Sequence, residues 1–233
     1  MVTPRIASAR LANRVLVLAM ASLSIVGTAG GVRAWLVQDS GEGDRLADLM
    51  KAATGAAVAD IGAGDGQWTK ILSARVGPTG RVFATEVNQN LIKRLESTAA
   101  SLGNVTVTQG SQDHNGLPAD CCDAILLRLV YHHFTDPPAM QKELRRALRM
   151  GGLLAVVEFR PGRTAAPSGV PHDRGGHGIP PELLIKELNA HGFEVVTRED
   201  QWPGGRESYC VLFRKIDLPK STGRSSLRHP VAR

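Results

Sequence analysis

The sequence predicts an α/β domain on a doubly wound, mostly parallel seven-stranded sheet with the last strand antiparallel. Three observations carry this. Short runs of aliphatic and β-branched residues alternate with helical stretches from residue 56 onward. That alternation makes βαβ units, whose crossovers join parallel strands. The final two apolar runs have only EDQWPGGR between them, too little for a crossover helix, so they should pair antiparallel.

Taken in order, residues 44–54 (DRLADLMKAAT) read as a short helix with Leu46, Leu49 and Met50 on one face. A strand follows at 56–61, then a helix at about 66–76 with Trp68, Ile71, Leu72 and Val76 inward. GPTG at 77–80 is a turn. The next strand is 81–86 (RVFATE), followed by a helix at about 88–102 with Leu91, Ile92, Leu95, Ala99 and Leu102 at helical spacing. Strands at 104–108 and 123–129 flank a loop. Asp136 and Pro137 are the N-cap and first residue of a helix running to about 149, which ends on Arg145, Arg146 and Arg149 and stops at Gly151–Gly152. A strand at 153–159, a Pro- and Gly-rich loop at 160–180, a helix at about 181–191 and strands at 193–198 and 207–214 complete the set. No internal repeat is visible, and the tail from about 216 has no periodicity and is expected to be disordered.

At 42% hydrophobic but only 4% aromatic, the chain must fill its core with aliphatic side chains. The net charge is +6, yet residues 1–34 carry four arginines and no acid, and 216–233 net +3, so 35–215 net −1. The basicity belongs to the ends, and no folded basic face for nucleic acid is implied. The expected organisation is a signal-like or anchor segment at 1–34, one folded domain at 35–215 and a disordered basic tail at 216–233.

The apolar stretch from Val15 to Val26 follows Arg5, Arg10 and Arg14. It has the length of a signal-peptide core and falls short of the roughly 20 residues a span needs. VRA at 32–34 is a candidate cleavage site. Export, membrane association through residues 15–26, and a packed N-terminal helix in a cytoplasmic protein stay open, with export the first expectation.

Cys121, Cys122 and Cys210 show no CxxC or Cys/His ligand spacing and read as buried or idle thiols. YHH at 131–133 reads as a poor metal site, because adjacent histidines on a helix point in different directions. No metal is expected.

AAVADIGAGDGQWTK at 56–70 places three glycines in five positions after a strand that ends in an acid. Glycine is costly to order, so something must approach the backbone there. In doubly wound sheets that turn meets a nucleotide-like ligand. The spacing is Gly62-x-Gly64-x-Gly66, and Gln67 stands where the dinucleotide pattern wants its third glycine. Asp65 would repel a pyrophosphate, and no GK[ST] follows for a P-loop. A ligand with ribose, no phosphate and a cationic end fits better.

VADIGAGDGQ closely resembles motif I of the class I S-adenosylmethionine-dependent methyltransferases. Glu86, at the end of the next strand, stands where that family has its ribose-binding acid. LRLVYHHFTDP (127–137) and ELRRALRMGGLLAVVEF (143–159) resemble the family's fourth strand, following helix and fifth strand, and the likeness covers about 55–214, closest to small bacterial members with YHHF. The resemblance implies a Rossmann-like fold and S-adenosylmethionine as cofactor. It implies that Gly62, Gly64 and Gly66 lie along the methionine part, that Asp60 orders the loop or meets the ammonium through water, and that Glu86 accepts from the ribose hydroxyls. Gln112 and Asp113 are both candidates for the adenine side, since GSQDH departs from the family's GD pattern. Arg128 stands where the family often has a small or acidic residue.

Methyl transfer asks a protein mainly for position, desolvation and sometimes a base. His132 and His133, beyond the fourth strand, are the candidate catalytic residues; packing or capping the next helix is their competing role. The loop 160–180, with His172, Asp173, Arg174 and His177, should close over a small-molecule substrate. The alternatives to a methyltransferase are a non-catalytic S-adenosylmethionine-binding protein of the same fold and a nicotinamide-dependent oxidoreductase.

Overall fold

A computed structural model describes residues 41–218 apart from 112, 163–167, 171–173, 175 and 204–206. In chain order the elements are α1 (Glu42–Leu49), β1 (Ala57–Ile61), α2 (Gln67–Val76), β2 (Arg81–Glu86), α3 (Gln89–Ala100), β3 (Val105–Gln109) and β4 (Cys122–Arg128). A 3₁₀ turn at Tyr131–His133 precedes α4 (Pro137–Ala147), β5 (Leu148–Phe159), α5 (Pro181–Ala190), β6 (Phe193–Glu199) and β7 (Ser208–Lys215). The strands form one sheet in the order β3-β2-β1-β4-β5-β7-β6. All neighbours are parallel except β5 with β7 and β7 with β6.

The central strands read as continuous apolar runs because both sheet faces are covered. On β4, Ile125 and Leu127 point into one layer with Met140 and Leu144 of α4 and Leu184 and Leu188 of α5. Ala124 and Leu126 point the other way, toward Leu46 of α1 and Leu72 and Val76 of α2. Leu95 of α3 packs on Ala63 and Ala84 in a third, smaller cluster. This alternation with period two leaves the carboxyl ends of β1, β2 and β4 side by side where the strand order reverses.

Local chemistry explains most boundaries. Asn88 caps α3 through its side chain, and Asp136 caps α4 by accepting from the Ala139 N–H at 3.0 Å. Two boundaries differ from expectation. The first helix spans Glu42–Leu49 rather than 44–54; beyond it Lys51 holds a positive φ of 54°, which a helix cannot continue through. The arginine-rich end of α4 stops at Ala147, and Leu148–Met150 are already strand. There β5 pairs with β4 across an irregularity between Cys122 and Ala124, and Arg149 pairs with Asp123 instead of closing the helix.

Candidate active site

The turn after β1 is built by its glycines. Gly62, Gly64 and Gly66 have φ of 72°, 60° and 87°, a region other residues adopt at a cost. A Cβ on Gly62 would meet Val130 Cγ2 at 2.5 Å, and one on Gly66 would meet Leu95 at 2.9 Å. Two of the three glycines therefore make room for the chain's own packing. Only at Gly64 does a Cβ point into open space, with nothing within 4 Å.

Two acids frame this turn. Asp60, buried at the end of β1, accepts from Thr69 Oγ1 at 2.6 Å and so ties the strand to the helix after the loop. Burial pushes its carboxyl up to about 6 against the pull of the Thr69 bond; the Glu86 charge adds to the rise and Arg128 opposes it. Glu86, at the end of β2, accepts from the Gly64 N–H at 2.9 Å with one oxygen. Its other oxygen accepts from the N–H groups of Val87 and Asn88 at 2.8 and 2.9 Å. The carboxylate thus holds the glycine turn and the entry to α3 in one arrangement, with one lone-pair site on Oε2 to spare.

A cavity of about 420 Å³ opens at this point. Gly62 and Glu86 line it, Ser111, His114 and Asn115 close one side, and Val130, His133, Phe134 and Met140 make an apolar opposite wall. The loop after β5 reaches it through Ser168. Of the two residues expected on the adenine side, Gln112 lies outside the described residues. Asp113 is exposed and absent from the cavity lining, because its carboxylate accepts from Ser111 Oγ at 2.7 Å, a bond that lowers its pKa. Asn115, which the sequence reading passed over, is buried in the lining instead. Its Oδ1 accepts from the Leu117 N–H, and its Nδ2 has no partner among the described residues.

Arg128 has an answer of its own. It turns away from the cavity and donates through Nε and Nη2 to both oxygens of Glu42, each at 3.1 Å. It lies over the Trp68 ring at 4.6 Å, and Trp202 Nε1 donates to the same Glu42 at 2.8 Å. The residue that looked out of place is a half-buried strut beneath α1.

The histidines depart most from expectation. Tyr131–His133 is a 3₁₀ turn, and the His132 and His133 rings sit 4.1 Å apart rather than diverging. His132 is buried; its Nδ1–H donates to Glu158 Oε2 at 2.7 Å and its backbone N–H to Oε1 at 3.2 Å. It is absent from the cavity lining. His133 does line the cavity, and loss of hydration, reinforced by the His132 and His177 rings, pushes its pKa down to about 4. Beneath them, Tyr131 donates to Glu187 at 2.7 Å and Arg174 donates to the same carboxylate at 2.9 Å, which fastens the 160–180 loop to α5. His172 and Asp173 lie outside the described residues.

Comparison with known proteins adds to this geometry. Residues 59–156 match a family described as methyltransferase domain. The chain is 32% identical over 117 residues to the ubiquinone/menaquinone biosynthesis C-methyltransferase UbiE of Saccharophagus degradans, covering 48% of this chain and 46% of that one. It is 28% identical over 116 residues to the demethylmenaquinone methyltransferase of Staphylococcus carnosus, covering 49% and 47%. It spans about half the length of the curated relatives it matches. Among solved structures, an S-adenosylmethionine-dependent methyltransferase from Aquifex aeolicus superposes with a TM-score of 0.61 at 20% identity, over 75% of this chain and 89% of that one. The [4+2]-cyclase SpnF also gives 0.61, at 18% identity over 75% and 80%, so this fold by itself does not name a reaction. Residues 59–156, under half of the chain, thus match a methyltransferase-domain family, and the sheet they lie in has the fold of an S-adenosylmethionine-dependent methyltransferase of known structure.

Proposed function

We propose that this protein transfers a methyl group from S-adenosylmethionine to a small, largely apolar acceptor. The observation that carries the reading is Glu86, a buried carboxylate at the tip of β2 that lines the cavity while gripping the Gly64 amide. When bound, S-adenosylmethionine supplies a methyl group on a cationic sulfur. The chain's own residues have four tasks.

Glu86 accepts from a ribose hydroxyl through the one lone-pair site on Oε2 that its three backbone N–H bonds leave free. Gly62, Gly64 and Gly66 keep the turn flat enough for the methionine part to lie along it. Asp60 stabilises the loop through Thr69 and provides negative potential near the ammonium. The orphan Nδ2 of Asn115 is a donor waiting in the cavity and fits an acceptor nitrogen of adenine better than the turned-away Asp113 does.

The acceptor's place is the apolar wall of Val130, Phe134 and Met140, which excludes water and presses the acceptor toward the methyl. His133 is the polar group on that wall; neutral at pH 7, its ring accepts a hydrogen bond from an acceptor hydroxyl. His132 sets the ring stack through Glu158 rather than touching the acceptor. Because the curated relatives carry quinone biosynthesis in their names, a hydroquinone-like ring is the first acceptor to try. The YHHF segment groups the chain with small bacterial methyltransferases that share it.

Calorimetry of the full chain with S-adenosylhomocysteine tests this. Binding is expected, and Glu86→Ala should weaken it about 10–100-fold, the loss of a buried acceptor bond. Unchanged affinity in that variant would overturn the assignment.

A further inference from the structure

His177 comes from the loop after β5 and stands beside the 3₁₀ turn, its ring 4.9 Å from His132 and 6.0 Å from His133. One ring nitrogen from each of the three lies within 4.8 Å of the others. Such a concentration of imidazoles at a cavity mouth is not what packing alone asks for. Imidazole rings pack well edge-to-face on aromatic neighbours, and Phe159 already gives His132 one at 4.9 Å.

Two further observations point to a ligand. With Nδ1 of His132 committed to Glu158, Nε2 is the nitrogen it has left to offer; that atom is buried and has no hydrogen-bond partner among the described residues. A buried nitrogen without a partner is costly unless something binds it. Glu158, wholly buried, fixes the tautomer and orientation of the ring, as the carboxylate behind a metal-ligating histidine does.

We propose that His132, His133 and His177 form a three-histidine site for a divalent transition metal of the zinc type, with Glu158 as the supporting carboxylate. Tetrahedral coordination with metal–nitrogen bonds of about 2.0–2.1 Å sets the nitrogens about 3.3 Å apart, so the three must close in by roughly an ångström. His133 is exposed and His177 is half-buried on a loop, so side-chain rotation covers that distance. Three imidazoles leave a fourth position open, the arrangement of catalytic rather than structural sites. Because His133 lines the cavity, that position is beside the acceptor, where the metal would take the one lone-pair nitrogen of His133 in place of the acceptor hydroxyl, hold the acceptor oxygen itself and favour its deprotonated form. The site itself rests on the histidine geometry; only this role for the metal rests on the methyltransferase reading.

The untagged full chain, stripped with a chelator, is titrated with Zn²⁺ against a chromophoric competitor and separately with Co²⁺. One equivalent should bind, and the Co²⁺ form should show the visible absorption of a tetrahedral site. His133→Ala and His177→Ala, both away from the buried core, should remove the binding while keeping the far-UV spectrum. His114→Ala, at an exposed histidine on the opposite side of the cavity and outside the trio, should not. Glu158→Gln should weaken binding about 10–100-fold. Absence of a tight equivalent, or binding untouched in both His133→Ala and His177→Ala, would overturn the site. S-adenosylhomocysteine affinity, measured on the same metal-free samples, reports on the cofactor reading independently of this one.

Discussion

Asp60 keeps a carboxyl where its charged form is disfavoured. Its folded pKa, about 6, lies above the 3.8 of the free side chain. The folded state therefore holds the proton more tightly than the unfolded one, and this residue costs stability increasingly from about pH 4 to pH 6 and by a constant amount above. Asp60→Asn retains an oxygen for Thr69 and removes the charge. It is expected to raise stability at pH 8 by up to about 3 kcal/mol, with the gain vanishing near pH 4. Thermal unfolding at the two pH values checks this; a gain that is equal at both would mean that burial of the charge is not the cause. The retention of so costly an acid beside the glycine turn fits a cationic partner there. Asp60, the glycines and Glu86 were legible in the sequence because motif spacing encodes local backbone. Asn115 was not, because its neighbours suggest only a loop, and its importance arises from the cavity that distant strands enclose. The histidine trio was hidden for the same reason: His177 is remote in sequence, and the 3₁₀ geometry of residues 131–133 defeats the divergence an α-helix would impose.

Among the elements, α1 depends on one buried assembly. Glu42 is met by the Arg128 fork and by the Trp202 indole, so three parts of the chain converge on a single carboxylate. Glu42→Ala leaves a half-buried guanidinium and a buried indole N–H without their acceptor, a loss of about 2–3 kcal/mol, below that of a fully buried pair. Denaturant unfolding should show that loss, and proteolysis should cut first near α1. A loss below about 1 kcal/mol would mean that water replaces the carboxylate. Nearly all helices and strands were legible from period and capping: β2 spans Arg81–Glu86, and α4 begins at Pro137 after the Asp136 cap. The start of β5 was not, because Arg145, Arg146, Arg149 and two glycines make a convincing helix end in one dimension. The pairing of Arg149 with Asp123 and the irregularity opposite Cys122 that draw Leu148–Met150 into the sheet involve a strand far away in sequence.

For the molecule as a whole, the charge division between ends and middle frames a prediction about the N-terminus. No helix among the described residues is long and apolar enough to cross a membrane. The apolar run at 15–26 lies outside those residues, and its sequence favours export. Fusion of residues 1–45 to reporters active on one side of the membrane only should give signal outside the cytosol, and a chain starting at Trp35 should melt at the same temperature as the full chain. Signal only inside, or a truncated chain that fails to fold, would point to a packed N-terminal helix. The sheet order has a separate consequence for how the protein is made. Of the described strands β7 is the last to be synthesised, yet it lies between β5 and β6, and among those strands β6 has no other to pair with. Until Ser208–Lys215 leaves the ribosome, β5 presents an unpaired edge flanked by Leu154 and Val156, and the side chains of Tyr209, Val211 and Phe213 are missing from the core. Such an edge invites pairing with other chains. A nascent chain halted just short of residue 208 would carry the whole glycine turn and most of the sheet, and still be a substrate for chaperones and proteases rather than a folded domain.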